Sequence, residues 1–338
     1  GDGRFAELGA IAAQYGRRVA LVTGGRSLRA GGRLDDLAAQ FDRAGIDWLQ
    51  LRIDHEPTVE AVDALTAEAA GFRPDMVVAM GGGSAMDTGK AVAALLTNGG
   101  EVLDYLEGVG RGRTLERPAL PVIAVPTTAG TGTEATKNAV IGDRARTFKK
   151  SMRSDGMMPV VAVVDPELTH GCPPQVTAAS GMDALTQLLE TYTSNRAHVM
   201  SDAVAREGLQ RVAAIDRLAD GVLDAEQERT LRASMSYAAL LGGMLLANVG
   251  LGAVHGLVSP LSGRHPIPHG AGCAALLPAT VRANARRAAL DGNGTLLNKY
   301  AAALELLTGE SPGGTDPIDT AMALADYLAG LNRRLGLA

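Results

Sequence analysis

Three of the six histidines in this 338-residue chain fall within residues 254–270, which read VHGLVSPLSGRHPIPHG. They are His255, His265 and His269, and Pro260, Pro266 and Pro268 restrict the backbone around them. Neutral imidazole is the commonest side-chain metal ligand. Two such rings, held at a helix end and just past a proline-stiffened loop, can converge on one ion. Taken singly, each reads first as a surface or core histidine held by a hydrogen bond.

A carboxylate partner lies upstream, in GMDALTQLLE. Asp183 and Gln187 are four residues apart and share a helix face, and Glu190 falls nearly on the same side two turns on. Alone, Asp183 reads as an acidic residue favoured by a helix N-terminus. Together with His255 and His269 it completes a set of one carboxylate and two imidazoles. That set suits a divalent metal and leaves positions open for a substrate.

The first half of the chain supplies a different kind of site. Apolar runs at residues 17–23, 47–53 and 75–80 read as strands, and helical spacing occupies 34–44 and 59–70. Such alternation predicts a doubly wound parallel sheet with helices on both faces. The third strand runs directly into GGGSAMDTGK, where Ser84 is placed to cap a helix over 85–96. A glycine turn lets backbone approach a phosphate, and a helix N-terminus adds free N–H groups and a positive dipole end. The pattern is neither GxGxxG nor a Walker A loop, and a tight strand-to-helix turn is the plainer alternative. Residues 120–125 form a further strand that opens into PTTAGTGTEAT, whose hydroxyls suit sugar and phosphate contacts as well as a polar surface loop. One more strand is expected at 159–164.

Beyond residues 171–174 the strands stop. Helices are expected at 176–193, 203–214, 225–246, 270–289 and 320–335. The chain therefore divides into an α/β nucleotide-binding domain, 1–171, and an all-helical metal- and substrate-binding domain, 172–338, with a cleft between them as the expected ligand site. Composition agrees: 46% hydrophobic residues build sizeable cores, while 3% aromatics leave Ala, Val, Leu and Met to fill them. The net charge of -5 lacks the basic footprint of a nucleic-acid binder. No apolar run is long enough for a membrane span. Cys172 and Cys273 form no CxxC pair and read as two buried free thiols of a cytoplasmic protein.

GGGSAMDTGK, PTTAGTGTEAT, the GMDALTQLLE helix and the pair VHG and IPHG resemble, in the same order, motifs of the iron-containing (group III) alcohol dehydrogenases. The resemblance runs from residue 3 to about 335. It implies a fold similar to that of glycerol dehydrogenase and, more distantly, dehydroquinate synthase. It implies hydride transfer between a nicotinamide cofactor, NADP or NAD, and a small alcohol or aldehyde, assisted by iron or zinc. Gly82, Gly83, Ser84 and Asp87 match the pyrophosphate cradle, and Thr127, Thr128 and Thr131 match the nucleotide-contacting loop. Lys149 matches a lysine near the nicotinamide half of the cofactor, and Asp183, His255 and His269 match metal ligands. A homodimer is also implied.

Three positions depart from the pattern. Gln187 stands where the family has a fourth ligand, a histidine, and its neutral oxygen binds a borderline metal more weakly than imidazole. Ser259 replaces the second histidine of an HxxxH pair. His265 stands where an aromatic residue usually lines the pocket, and it is the candidate for relaying a proton. Against the family the chain is also expected to lack an initial edge strand and the last helices. At the first-strand loop, Gly24, Gly25, Arg26 and Ser27 bring no carboxylate to repel a 2′-phosphate, which favours NADP. The alternatives are a lyase of the dehydroquinate synthase kind and a non-catalytic member that has lost metal ligands.

Overall fold

The computed structural model describes residues 1–338 except 26, 27, 29, 30, 220, 222, 312–315 and 338. The chain forms two compact units. The first combines Gly1–Thr128 with Thr133–Cys172, and the second combines Ala129–Gly132 with Pro173–Ala338.

In the first unit, β1 (Arg18–Thr23), β2 (Asp47–Arg52), β3 (Met76–Gly81), β4 (Val122–Pro126) and β7 (Val161–Ala162) form one parallel sheet in the order β2-β1-β3-β4-β7. Side chains alternate across it, and both faces are apolar because both are covered. Val19, Leu21, Met76, Val78, Met80, Ile123 and Val125 point to one side, where α1 (Arg33–Ala44) adds Leu37 and Phe41. Ala20, Val22, Val77, Ala79, Val122 and Ala124 point to the other, beneath α2 (Val59–Phe72) and α3 (Gly83–Asn98). This is the doubly wound sheet expected from the alternating pattern. Gly89 on α3 lets helix and strand touch, since a Cβ there would lie 2.6 Å from that of Ala79.

An antiparallel hairpin, β5 (Asn138–Asp143) with β6 (Phe148–Arg153), had no clear sequence signal. Its second strand carries two lysines and is only partly buried. The strand expected at 159–164 shortens to Val161–Ala162. Val160 and Val163 still donate to β4 carbonyls at 2.9 Å, but Pro159 has no N–H to extend the ladder.

The second unit is helical: α4 (Pro174–Tyr192), α5 (Val199–Val212), α6 (Ala225–Val249), α7 (Ala253–Arg264), α8 (His269–Leu290), α9 (Gly294–Thr308) and α10 (Pro317–Arg334). Their shared core includes Met182, Leu185, Leu188, Met235, Leu277, Leu324 and Leu328. Helix α9 lies outside the helices expected above, although its signals are local. The Asn293 side chain caps it by accepting from Leu296 N, and Leu297, Tyr300, Ala303 and Leu307 form its buried stripe. His255 does sit at a helix end and His269 just past a proline-containing loop, but that loop is shorter than expected, because residues 253–264 are helical with Pro260 inside. Burial of Val254 and Val258 anchors this helix and offsets the one hydrogen bond that Pro260 cannot make. No single helix among the described residues is long and apolar enough to cross a membrane.

Candidate functional site

Three helices of the second unit bring four donor atoms together. Asp183 sits in the middle of α4, His255 in the first turn of α7, His269 at the first position of α8 and Cys273 one turn later on α8. One ligand atom from each lies within 4.8 Å of all the others. Small residues permit this convergence. A Cβ at Gly270 would lie 2.1 Å from Ala179 O on α4, and one at Gly272 would lie 2.5 Å from Val258 Cγ2 on α7. Between α6 and α7 the chain bends by 98° at Gly250, whose φ is 72°. The corner delivers His255 to the face of α4 that carries Asp183 and Glu190.

Glu190 fixes the ring of His255. Its Oε2 accepts from His255 Nδ1 at 2.6 Å, and its Oε1 accepts from Val254 N at 2.6 Å. Gly252 makes room, because a Cβ there would come within 2.8 Å of Glu190 Oε1. With Nδ1 bound to a carboxylate, Nε2 is the nitrogen turned toward the other donors, the usual support of a metal-binding histidine. It lies 3.2 Å from Asp183 Oδ1. The ring of His269 is 5.4 Å from that of His255, centroid to centroid, and its Nε2 lies 3.8 Å from Asp183 Oδ1. Burial raises the pKa of Asp183, but the His255 hydrogen bond and the charge of His269 outweigh it and hold the carboxyl below its ordinary value. Burial pulls the His255 imidazole down, yet its bonds to Asp183, Cys273 and Glu190 leave it well above the ordinary histidine value. Two oppositely charged kinds of group therefore crowd one small volume. A hard oxygen, two imidazole nitrogens and a sulfur at these separations suit a divalent cation.

Gln187 is buried beside this set with its amide nitrogen toward it. Nε2 donates to Thr131 O at 3.1 Å and to Asp183 Oδ1 at 3.3 Å. Oε1 faces Gly242, whose added Cβ would lie 3.3 Å away. Cys273 is a donor outside the expected set, although its place four residues after His269 puts both on one helix face. The other cysteine, Cys172, is half-buried rather than buried. His265 follows α7 at its C-terminal end, extended and exposed.

The glycine turn of the first unit lies at the carboxyl ends of its strands. Helix α3 starts at Gly83 with Gly82 as its extended N-cap, so Ser84 sits in the first turn instead of capping it. This start leaves the N–H groups of Gly83 and Ser84 without helical acceptors. Gly24 at the end of β1 lies close by, 3.3 Å from where a Cβ on Gly81 would be. Thr127 N donates to Gly81 O at 2.8 Å, and Thr128 lies beside Gly82. Backbone and hydroxyls thus surround the turn, as a phosphate cradle requires. Gly25 adjoins Asp54, whose Oδ1 is 2.6 Å from a built Cβ, so a carboxylate absent from the loop itself arrives from the end of β2. Ser27 and Arg26 lie outside the described residues. Lys149, on β6, is paired with Glu56 at 2.9 Å.

Asp87 and Lys90 are engaged within the protein. Asp87 accepts from Thr133 Oγ1 at 2.6 Å and from Val140 N at 3.0 Å. Lys90, fully buried, donates to Thr133 Oγ1 at 2.6 Å and to Thr136 Oγ1 at 3.0 Å. Together they fasten the threonine loop to α3. Glu134 is buried in this loop, and burial pushes its pKa up to about 7, with its own backbone N–H and Lys90 opposing. Its folded pKa is raised, so its contribution to stability is present below the unfolded value and is lost as pH rises through about 7. Glu134→Gln is expected to match wild-type stability below about pH 4 and to exceed it by about 1–3 kcal/mol at pH 8. Denaturation at both pH values checks this, and a difference that does not grow with pH contradicts it.

Comparison with known proteins agrees with this arrangement. Alcohol dehydrogenase 4 of Schizosaccharomyces pombe is 41% identical over 212 residues, which cover 63% of this chain and 49% of that protein. The chain spans about half the length of the first curated relatives it matches. A crystal structure of 1,3-propanediol oxidoreductase superposes with a TM-score of 0.88 at 31% identity, covering 100% of this chain and 85% of that one. Sulfoacetaldehyde reductase from Bifidobacterium kashiwanohense, solved in complex with NAD+, gives a TM-score of 0.83 at 31% identity, covering 99% and 83%. Residues 1–166 match the iron-containing alcohol dehydrogenase family and residues 177–338 match the C-terminal part of that Fe-containing family. With a parallel α/β unit, a helical unit and the Asp183, His255 and His269 set all in place, the chain belongs to the iron-containing alcohol dehydrogenase family.

Proposed function

We propose that the chain catalyses reversible hydride transfer between a nicotinamide dinucleotide and a small alcohol or carbonyl compound. The observation that carries this reading is the convergence of Asp183, His255 and His269 within one small volume of the helical unit. When bound, a divalent ion, iron or zinc, polarises the substrate oxygen, and the nicotinamide carries the hydride. Asp183, His255 and His269 hold the ion. Gln187 takes the place of one ligand histidine and steadies Asp183 through its amide. Glu190 orients His255. His265, exposed at the end of α7, is placed to exchange the reaction's proton with solvent. In the first unit, Gly82, Gly83 and Ser84 receive the pyrophosphate with Gly24, Thr127 and Thr128 around them. Asp87 and Lys90 act one step back, by fixing the loop. A homodimer and a cytoplasmic setting belong to the same reading and rest on the resemblance and on the two free thiols.

Asp54 bears on the choice between NAD and NADP. A carboxylate beside Gly25 can accept from a ribose 2′-hydroxyl and repels a 2′-phosphate. Paired with Arg52 at 2.8 Å, it offers an acceptor that weighs against the preference for NADP suggested by the loop's own residues.

The test is turnover of short aldehydes with NADH and NADPH, after dialysis against chelator and reloading with zinc or iron. Expected is cofactor oxidation that disappears with the metal and returns with it, and an NADPH-to-NADH ratio that rises in Asp54→Asn. No turnover with either metal, together with no cofactor binding, overturns the reading.

A further inference from the structure

We propose that Cys273 is the fourth protein ligand of the cation, which makes this centre an Asp, His, His, Cys site that favours zinc over iron. The inference rests on the metal-centre reading above and concerns which atoms close the site. Gln187 was the expected fourth corner by its position in the sequence, four residues after Asp183. The structure turns its N–H side to the donors, where Asp183 Oδ1 and Thr131 O both accept from it. Exchanging the amide's nitrogen and oxygen would set three oxygens against one another. In this orientation an N–H group, which cannot ligate a cation, faces the donors, while Oε1 points to Gly242 without a hydrogen-bond partner among the described residues.

Cys273 Sγ supplies a fourth donor. It lies 3.7 Å from His255 Nε2, 3.8 Å from His269 Nε2 and 3.9 Å from Asp183 Oδ1. Around a tetrahedral cation with bonds of about 2.0–2.3 Å to nitrogen, oxygen and sulfur, neighbouring donors stand about 3.3–3.6 Å apart. The sulfur therefore needs only a contraction of a few tenths of an ångström to join the others. It is buried, and it is held on the same helix as His269, one turn away. On binding, the thiol proton leaves to solvent and a sulfur–metal bond forms, with no change of oxidation state. Thiolate is a soft donor that suits zinc better than the oxygen-preferring cations. His269 is the most open of the four, with 27% of its side chain exposed, so a substrate oxygen can approach from its side.

The experiment uses cobalt(II) in place of the native ion, because thiolate bound to cobalt absorbs strongly in the near ultraviolet and imidazole or carboxylate does not. The full chain, stripped of metal, is titrated with cobalt(II) and then with zinc in competition with a chromophoric chelator. Expected is an intense charge-transfer band that saturates at one equivalent. The band is lost in Cys273→Ser and Cys273→Ala and kept in Cys172→Ala and Gln187→Ala. Zinc affinity is expected to fall about 10–100-fold in the Cys273 variants. Cobalt bound at one equivalent without the band overturns the thiolate ligand and leaves the metal centre standing. No cobalt or zinc bound by the wild-type chain overturns both.

Discussion

Asp183→Asn is expected to empty the metal centre and to lower kcat/KM for aldehyde reduction by about a thousandfold or more. The carboxylate is the common partner of the cluster. His255 Nε2, His269 Nε2, Cys273 Sγ and Gln187 Nε2 all lie within 4 Å of its Oδ1. Asparagine keeps the shape and removes the charge, and with its N–H group at the Oδ1 position it would oppose Gln187 Nε2. A cation held by two imidazoles and Cys273 without that carboxylate is bound more weakly, and the polarisation of the substrate oxygen goes with it, a loss of several kcal/mol. Glu190→Gln tests the same logic one bond further out. It leaves every direct donor in place but weakens the grip on His255 Nδ1, so a loss of about 10–100-fold in metal affinity is expected. Metal content after dialysis, with steady-state kinetics, checks both. Stoichiometric metal in Asp183→Asn with activity within tenfold of wild type contradicts the assignment.

Much of this was legible in the sequence because it follows from periodicity. Apolar runs marked the strands of the sheet, and the switch to helical spacing near residue 173 marked the second unit. Asp183, His255 and His269 were legible as a set only through their chemistry, since 72 residues separate Asp183 from His255 and nothing local brings them together. Other features were hidden for physical reasons. The direction of the Gln187 amide depends on Thr131 O, which belongs to a distant loop. Asp87 matches the pyrophosphate cradle in GGGSAMDTGK, but its internal partners, like those of Lys90, come from residues 133–140, so only the folded chain shows the two fastening that loop. Asp54 reaches Gly25 from just past the neighbouring strand. Cys273 is different, because its i, i+4 relation to His269 is local and visible in the sequence.

Gly243→Ala is expected to be among the most damaging substitutions outside the metal ligands, with a loss of about 3 kcal/mol. Its Cβ would sit 1.9 Å from Gly132 O and 2.9 Å from Gly132 Cα, both backbone atoms that cannot rotate away. Gly132 cannot yield easily, since its φ is +59° and its own missing Cβ would meet Ala239 O at 2.4 Å. The segment Ala129–Gly132 therefore lies on α6 only because both partners are glycine, and Gly130 repeats the device against Ser180 of α4. Overpacking of this kind costs about 1–3 kcal/mol where neighbours can shift, and rigid backbone puts this case at the upper end. The alternative is for the segment to lift off, which separates Thr131 O from Gln187 Nε2 and loosens the hold on Asp183. Stability and metal affinity should therefore fall together. Gly330→Ala is the matched control within α10, where an added Cβ meets only arginine side-chain ends at 3.8 Å. It is expected to gain up to about 1 kcal/mol from helix propensity. Denaturant titration of the two variants decides the matter: if Gly243→Ala is as stable as Gly330→Ala, the close approach of α6 and the 129–132 segment does not hold the site.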